Sequence, residues 1–135
     1  MKDTAVYIWF EGQAREAMGF YATVFGGEAT FTRYGDCPPG AIPGSELAPE
    51  LVMHAELTLP GMHLMAADML PGDMYGTGGS FSISVECDDA EELERVFYGL
   101  LEDGEMVAAL KPAFWGGTIG RVTDRFGISW MVSVR

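Results

Sequence analysis

Basic residues are scarce: eight Lys and Arg stand against twenty Asp and Glu in 135 residues, for a net charge of −12. The few cations are scattered rather than gathered in a stripe, which argues against nucleic acid as a partner, because such binding rests on neutralising phosphates. Long apolar runs are missing too. None approaches the ~20 residues that a membrane-spanning helix needs. The opening MKDTAVYIWFEG has no apolar core ahead of a small-residue cleavage site, so it does not read as a signal peptide. A cytoplasmic protein is the expectation. There are only two cysteines, Cys37 and Cys87, with no CxxC or metal-finger spacing, and they read as inert thiols ahead of any redox or nucleophilic role. Also absent is the glycine-rich turn from strand to helix that cradles a nucleotide or adenosyl cofactor; GTGG at 76–79 precedes a strand and reads as a connector. No cofactor is expected.

What is present is enough apolar residue, 48% of the chain, to fill the core of one domain. The phrase FYATVFGGE at 20–28 returns as FYGLLEDGE at 97–105, an offset of 77. Both lie in helical patterns. In the first, Ala17, Phe20, Tyr21, Val24 and Phe25 form a stripe that Gly26-Gly27 stops, predicting a helix over about 13–25. Its Gly19 weakens the helix by ~1 kcal/mol relative to alanine, and close approach of a sheet would account for it. In the second, Leu93, Val96, Phe97, Leu100 and Leu101 form the stripe, Asp88 with Glu91 reads as a capping box, and Gly104 reads as the terminating glycine, predicting a helix over about 89–102.

Strand-like runs surround both helices. TAVYIWFE precedes the first and SFSISVEC the second; EATFTRYG, ELVMHAELTL and MHLMAAD follow the first, and MVAALKPAF, TIGRVTD and ISWMVSV the second. The same offset aligns Val6, Ile8 and Phe10 with Ile83, Val85 and Cys87 on the helix-facing parity. Ala5, Tyr7 and Trp9 then align with Ser82, Ser84 and Glu86 on the opposite parity. The last strands align at an offset of 66, and the missing eleven residues are supplied by DCPPGAIPGSELAPE at 36–50, a proline-rich loop inserted in the first half. The prediction is an α+β chain of tandem βαβββ modules, about 1–75 and about 76–135, forming one domain over 1–135.

This layout, with YIWFEG at 7–12, EAMGFYATVFGGE at 16–28, VMHAEL at 52–57, LMAAD at 64–68, the segment around Trp115-Gly116 and DRFGISWMV at 124–132, resembles the PhnB-like branch of the vicinal oxygen chelate superfamily. That superfamily includes glyoxalase I, bleomycin-resistance proteins and extradiol dioxygenases, and the branch also carries the label demethylubiquinone methyltransferase-like. The resemblance implies a pair of half-barrels, each with a cavity on the side away from its helix, and a homodimer. It also implies metal-ligand positions on the first and last strands of each module, which here are Ala5, Met65, Ser82 and Met131. None is a good ligand for a divalent ion. No metal is therefore expected, although a set built from His54, Glu56 and His63 stays open as an alternative.

On the third strand His54, Glu56 and Thr58 share one parity and Met53, Ala55, Leu57 and Leu59 the other. If the apolar parity faces the helix, His54 and Glu56 point together into the cavity, where they are the catalytic candidates as an acid–base pair or else a polar pair that fixes the strand. Met53, Met62, Met65, Met69 and Met74 cluster in the sequence and suit varied apolar ligands as well as a core. Tyr7 and Trp9 fall on the cavity parity, Trp115 lies in a loop that can close over it, and Trp130 belongs to the core. Asp124 reads as a turn residue. The ligand-binding set is therefore Tyr7, Trp9, His54, Glu56, Met65, Ser82, Trp115 and Met131. Two functions follow: metal-independent binding of an apolar or aromatic small molecule, or a metal-dependent or His54/Glu56 acid–base lyase, isomerase or dioxygenase-type enzyme.

Overall fold

Residues 3–72, 81–113 and 115–135 are described by the computed structural model; the connector at 76–79 and Met74 lie outside them. The elements run β1 Val6–Phe10, α1 Ala14–Phe25, β2 Ala29–Arg33, β3 Val52–Leu59 and β4 Met62–Asp68, then β5 Ile83–Cys87, α2 Ala90–Leu101, β6 Glu105–Pro112, β7 Thr118–Thr123 and β8 Ser129–Val134. This is α+β with βαβββ order twice. The chain divides into two units, Met1–Gly76 and Thr77–Arg135. Each unit holds one four-stranded mixed sheet, ordered β1-β4-β3-β2 in the first and β5-β8-β7-β6 in the second.

The offsets of the sequence repeat reappear as strand register. In the first sheet β1 runs parallel to β4 with Val6 across from Leu64, and in the second β5 runs parallel to β8 with Ile83 across from Trp130. In the first unit α1 buries Ala14, Ala17, Met18, Tyr21, Ala22 and Val24 against the sheet. The sheet answers with Ile8, Phe10, Ala55, Leu57, Leu64 and Ala66, all buried. Each large aliphatic side chain so enclosed contributes about 1.5–3 kcal/mol. The inserted segment carries two short 3-10 turns, Tyr34–Asp36 and Ser45–Leu47.

Asp68, which no local pattern singles out, ties this unit together. It is buried at the end of β4, and its carboxylate accepts hydrogen bonds from the amides of Ala14 and Val52, both at 2.9 Å. Ala14 is the first residue of α1, so Asp68 serves the helix N-terminus that Gln13 leaves without a side-chain cap.

In the second unit α2 buries Leu93, Val96, Phe97 and Leu100. Phe97 presses on β7 at Gly120, where a Cβ would lie 2.6 Å from its Cε2, so any side chain there would force the ring to shift. Trp130 is fully buried, as expected, and its indole Nε1 donates to Asp124 Oδ2 at 2.8 Å. Asp124 Oδ1 accepts from the amides of Phe126 and Ile128, which makes the turn before β8.

Three local expectations are corrected. The cap of α2 is one residue later than expected: Asp89 accepts from the Glu92 amide at 2.8 Å, and Glu92 Oε1 accepts from the Asp88 amide at 3.0 Å. The helix ends at Leu101 with Glu102 as its C-cap, and the left-handed residue that follows is Asp103 (φ 58) rather than the expected terminating glycine, Gly104. Gly104 is required for a different reason, since a Cβ there would meet the Thr123 carbonyl oxygen at 2.5 Å. Gly19 makes no close approach to a sheet, because a Cβ there meets nothing within 4 Å.

Candidate functional site

Alternation along the strands of the first unit gives its sheet two unlike faces. Ile8 and Phe10 are buried on the α1 side while Tyr7 and Trp9 between them stay 40% and 49% exposed. On β3, Ala55 and Leu57 are buried and His54, Glu56 and Thr58 alternate with them, more open to solvent. Register places Tyr7 across from Met65, Met65 across from Glu56, and Glu56 across from Thr30, one row over all four strands. Tyr7, Trp9, His54, Glu56 and Met65 therefore share the face turned away from α1.

On that face the polar groups form a chain. The Tyr7 hydroxyl lies 3.0 Å from His54 Nδ1, and His54 Nε2 lies 2.9 Å from Glu56 Oε1. His63 stands on the other side of Glu56, with Nε2 3.7 Å from Glu56 Oε2 and Nδ1 2.7 Å from Asp3 Oδ2. Hydrogen bonding to His54 holds the Glu56 carboxyl below its ordinary range, against a smaller opposing effect of desolvation. Asp3 is lowered in the same way, chiefly by its hydrogen bond to His63. Burial, aided by the Glu56 charge, pushes the Tyr7 phenol up.

An ionised Glu56 can only accept, so His54 Nε2 carries the hydrogen of that bond, and Nδ1 is left facing the Tyr7 hydroxyl, which can serve it as donor or acceptor. The result is a phenol backed by an imidazole whose tautomer a carboxylate fixes. Such an arrangement can donate or take up a proton at the Tyr7 oxygen, and it can equally hold a polar group of a ligand. Beside it the Tyr7 and Trp9 rings lie 5.2 Å apart at 35°, with His54 5.7 Å from Tyr7.

The other three candidate residues belong to the second unit. Ser82 precedes β5, and its hydroxyl is 2.5 Å from that of Ser129. Met131 sits on β8 across from Ser84. Trp115 is 60% exposed in the turn between β6 and β7. Directly across from Met65 and Met131 stand Tyr7 and Ser84, whereas Ala5 and Ser82 lie just outside the strands. Neither pair offers the nitrogen and carboxylate donors of a divalent-metal site. Among the described residues no three His, Cys, Asp or Glu side chains gather as a metal would require, the set of His54, Glu56 and His63 included. Asp3 was missed because its link to His63 spans 60 residues.

A hollow of about 290 Å³ in the first unit, lined in part by Glu11, Leu51, Met69 and Leu70, contains none of the candidate side chains. It offers one carboxylate and no partner for it, so the chemistry is better placed on the open face. No helix among the described residues is long and apolar enough to cross a membrane.

Comparison with known proteins agrees with this architecture. The chain is 34% identical to protein PA1353 from Pseudomonas aeruginosa over 98% of each chain, with a TM-score of 0.82. It is 27% identical to the PhnB protein from Bacillus cereus, covering 99% of this chain and 100% of that one, with a TM-score of 0.79. Protein YjdN of Escherichia coli (strain K12) is 28% identical over 136 residues, which is 95% of this chain and 92% of the relative. A glyoxylase/bleomycin resistance protein/dioxygenase domain from Frankia sp. EAN1pec shares the fold at 12% identity, 99% and 97% coverage and a TM-score of 0.67. The model of the 3-demethylubiquinone-9 3-methyltransferase family matches residues 2–133, and the chain belongs to that family.

Proposed function

We propose that the open face of the first unit binds a small organic molecule with a flat apolar or aromatic body, without a metal ion. The observation that carries this reading is the pair of adjacent, exposed rings of Tyr7 and Trp9 beside the His54–Glu56 hydrogen bond. Stacking on the rings supplies area, and the polar pair supplies orientation. Met65, in the same row, adapts to the ligand's outline. A cationic group on the ligand is favoured by the −12 charge of the chain.

The methyltransferase in the family's description finds no support in the fold. An adenosyl cofactor is usually held on a glycine-rich turn leading out of a parallel sheet. Among the described residues each sheet has a single parallel pair, and the link from β1 to α1 is Glu11-Gly12-Gln13 with one glycine. Methyl transfer from such a cofactor is no part of the proposal.

Titration of tryptophan fluorescence with a panel of aromatic amines and neutral aromatics tests the binding. Saturable quenching that disappears in Trp9→Ala, and thermal stabilisation that fails in Met65→Glu, are the expected results. Quenching unchanged in both variants would overturn it, as would a stoichiometric divalent metal in the purified protein that is lost in His54→Ala.

A second reading, acid–base turnover, is favoured by the Tyr7–His54–Glu56 chain itself. Glu56→Gln separates the two, since it leaves the aromatic floor intact while releasing the tautomer of His54. Under the binding reading its affinity for neutral aromatics, which rest on the rings alone, stays within a few-fold of wild type. Under the catalytic reading a turnover rate falls steeply while binding persists.

A further inference from the structure

The second unit has an open face of different chemistry. On β7, Gly120 points at Phe97 of α2 and Val122 is fully buried, so Ile119, Arg121 and Thr123 project from the opposite side of the sheet. Register puts Arg121 between Ala108 of β6 and Met131 of β8, with Ser84 of β5 across from Met131. Thr123 and Ser129 are paired in the neighbouring row. Glu105 of β6 stands across from Thr123 in that row, but no acidic residue stands in the row of Arg121 itself.

That is unusual in this chain, where acidic residues outnumber basic ones twenty to eight. The other five arginines are all engaged: Arg15 lies over the Phe31 ring, Arg33 pairs with Asp36 and Glu50, Arg95 with Glu92, Arg125 with Glu102 and Asp103, and Arg135 with Glu86. Among the described residues Arg121 alone of the arginines has no carboxylate or ring partner. Its guanidinium is left with its donors unspent beside hydroxyls and a thioether.

We propose that the open face of the second unit binds a compact oxyanion, a carboxylate or a phosphoryl group, through Arg121. The planar guanidinium matches two oxygens of either group at once. Ser84 and Thr123 bring hydroxyls to the same face, each able to donate to an oxygen that Arg121 does not hold, and Ser129 adds a third when Ser82 is the donor of their shared hydrogen bond. A surface of net charge −12 does not gather anions non-specifically. Saturable anion binding here therefore reports a local site. It holds whether or not the aromatic face of the first unit takes a ligand.

Amide NMR spectra titrated with benzoate and, separately, with phenyl phosphate at constant ionic strength test this. Either probe is expected to saturate, with the amides of Ser84, Arg121, Thr123 and Met131 moving, and the probe that saturates at lower concentration identifies the favoured oxyanion. Arg121→Gln weakens binding about tenfold or more, and Arg121→Lys retains part of it. Lys111→Gln makes the same change in net charge on β6 and leaves binding unaltered. Failure of both probes to saturate overturns the proposal, as does wild-type affinity in Arg121→Gln or an equal loss in Lys111→Gln.

Discussion

The Tyr7 hydroxyl lies 3.0 Å from Nδ1 of His54, on a strand that is not its neighbour in the sheet. The other ring nitrogen of His54 gives its hydrogen to Glu56 at 2.9 Å. The pairing keeps Glu56 ionised below its usual pKa of 4.5. Between its depressed folded value and 4.5 the unfolded chain binds more protons, so the stability from this pairing is complete above about pH 4.5 and is lost as pH falls through the folded value. Glu56→Gln is therefore expected to flatten the fall in melting temperature between about pH 5 and pH 3. Some slope remains, because Asp3 and Asp36 are lowered by their own partners, His63 and Arg33. Identical profiles for the variant and the wild type would mean that the hydrogen bond does not persist in solution.

Gly19 lies in the middle of α1 with open space where its side chain would be. Nothing in the fold requires glycine there, and its φ is not in the left-handed region. Gly19→Ala is expected to stabilise the protein by about 1 kcal/mol, or about 4 °C in melting temperature, through helix propensity and a less flexible unfolded chain. Urea unfolding measures this directly. A loss of stability would show that the glycine has a neighbour that appears only in the assembled protein.

Periodicity and repetition made the skeleton legible. The offset of 77 placed Tyr7 and Trp9 on one parity before any contact was known, and that parity is the exposed one. Local chemistry was readable to within a residue: the α2 cap moved from Asp88 to Asp89 because two adjacent aspartates offer the same signal, and only the backbone conformation chooses between them. Long-range polar ties were not legible. Asp68 reaches Ala14 across 54 residues and Tyr7 reaches His54 across 47, and no local pattern encodes either distance. Arg121 was overlooked for a related reason, since its lack of a carboxylate neighbour is a property of strand register rather than of sequence.

The two thiols differ in environment. Cys87 is buried and its thiol is pushed up to about 11 by desolvation and then by the nearby Glu92 charge. Cys37 is half-buried in the inserted loop. At about pH 8 a thiol reagent is expected to modify Cys37 in the native protein and to reach Cys87 only after unfolding. Mass spectrometry after brief labelling with iodoacetamide distinguishes them. The raised Cys87 value has the opposite pH sign to that of Glu56: the folded state holds its proton more tightly, so stability declines as pH rises from about 9 towards 11.

Each unit also keeps one buried aspartate whose partners are donors. Asp68 accepts from two backbone amides, and Asp124 accepts from two amides and from the indole of Trp130. Replacing either by alanine leaves buried or part-buried donors without it, at about 1–3 kcal/mol for each buried one that finds no new partner. We expect Asp68→Ala and Asp124→Ala each to cost about 3 kcal/mol in urea unfolding, far more than an exposed substitution such as Glu94→Ala. In Asp124→Ala the indole hydrogen of Trp130 also exchanges faster with solvent, which NMR detects. A cost below about 1 kcal/mol would show that water enters to take over the carboxylate's role. The protected indole hydrogen in the wild type, together with its loss in the variant, would then decide whether Asp124 holds Trp130 or merely shapes the turn.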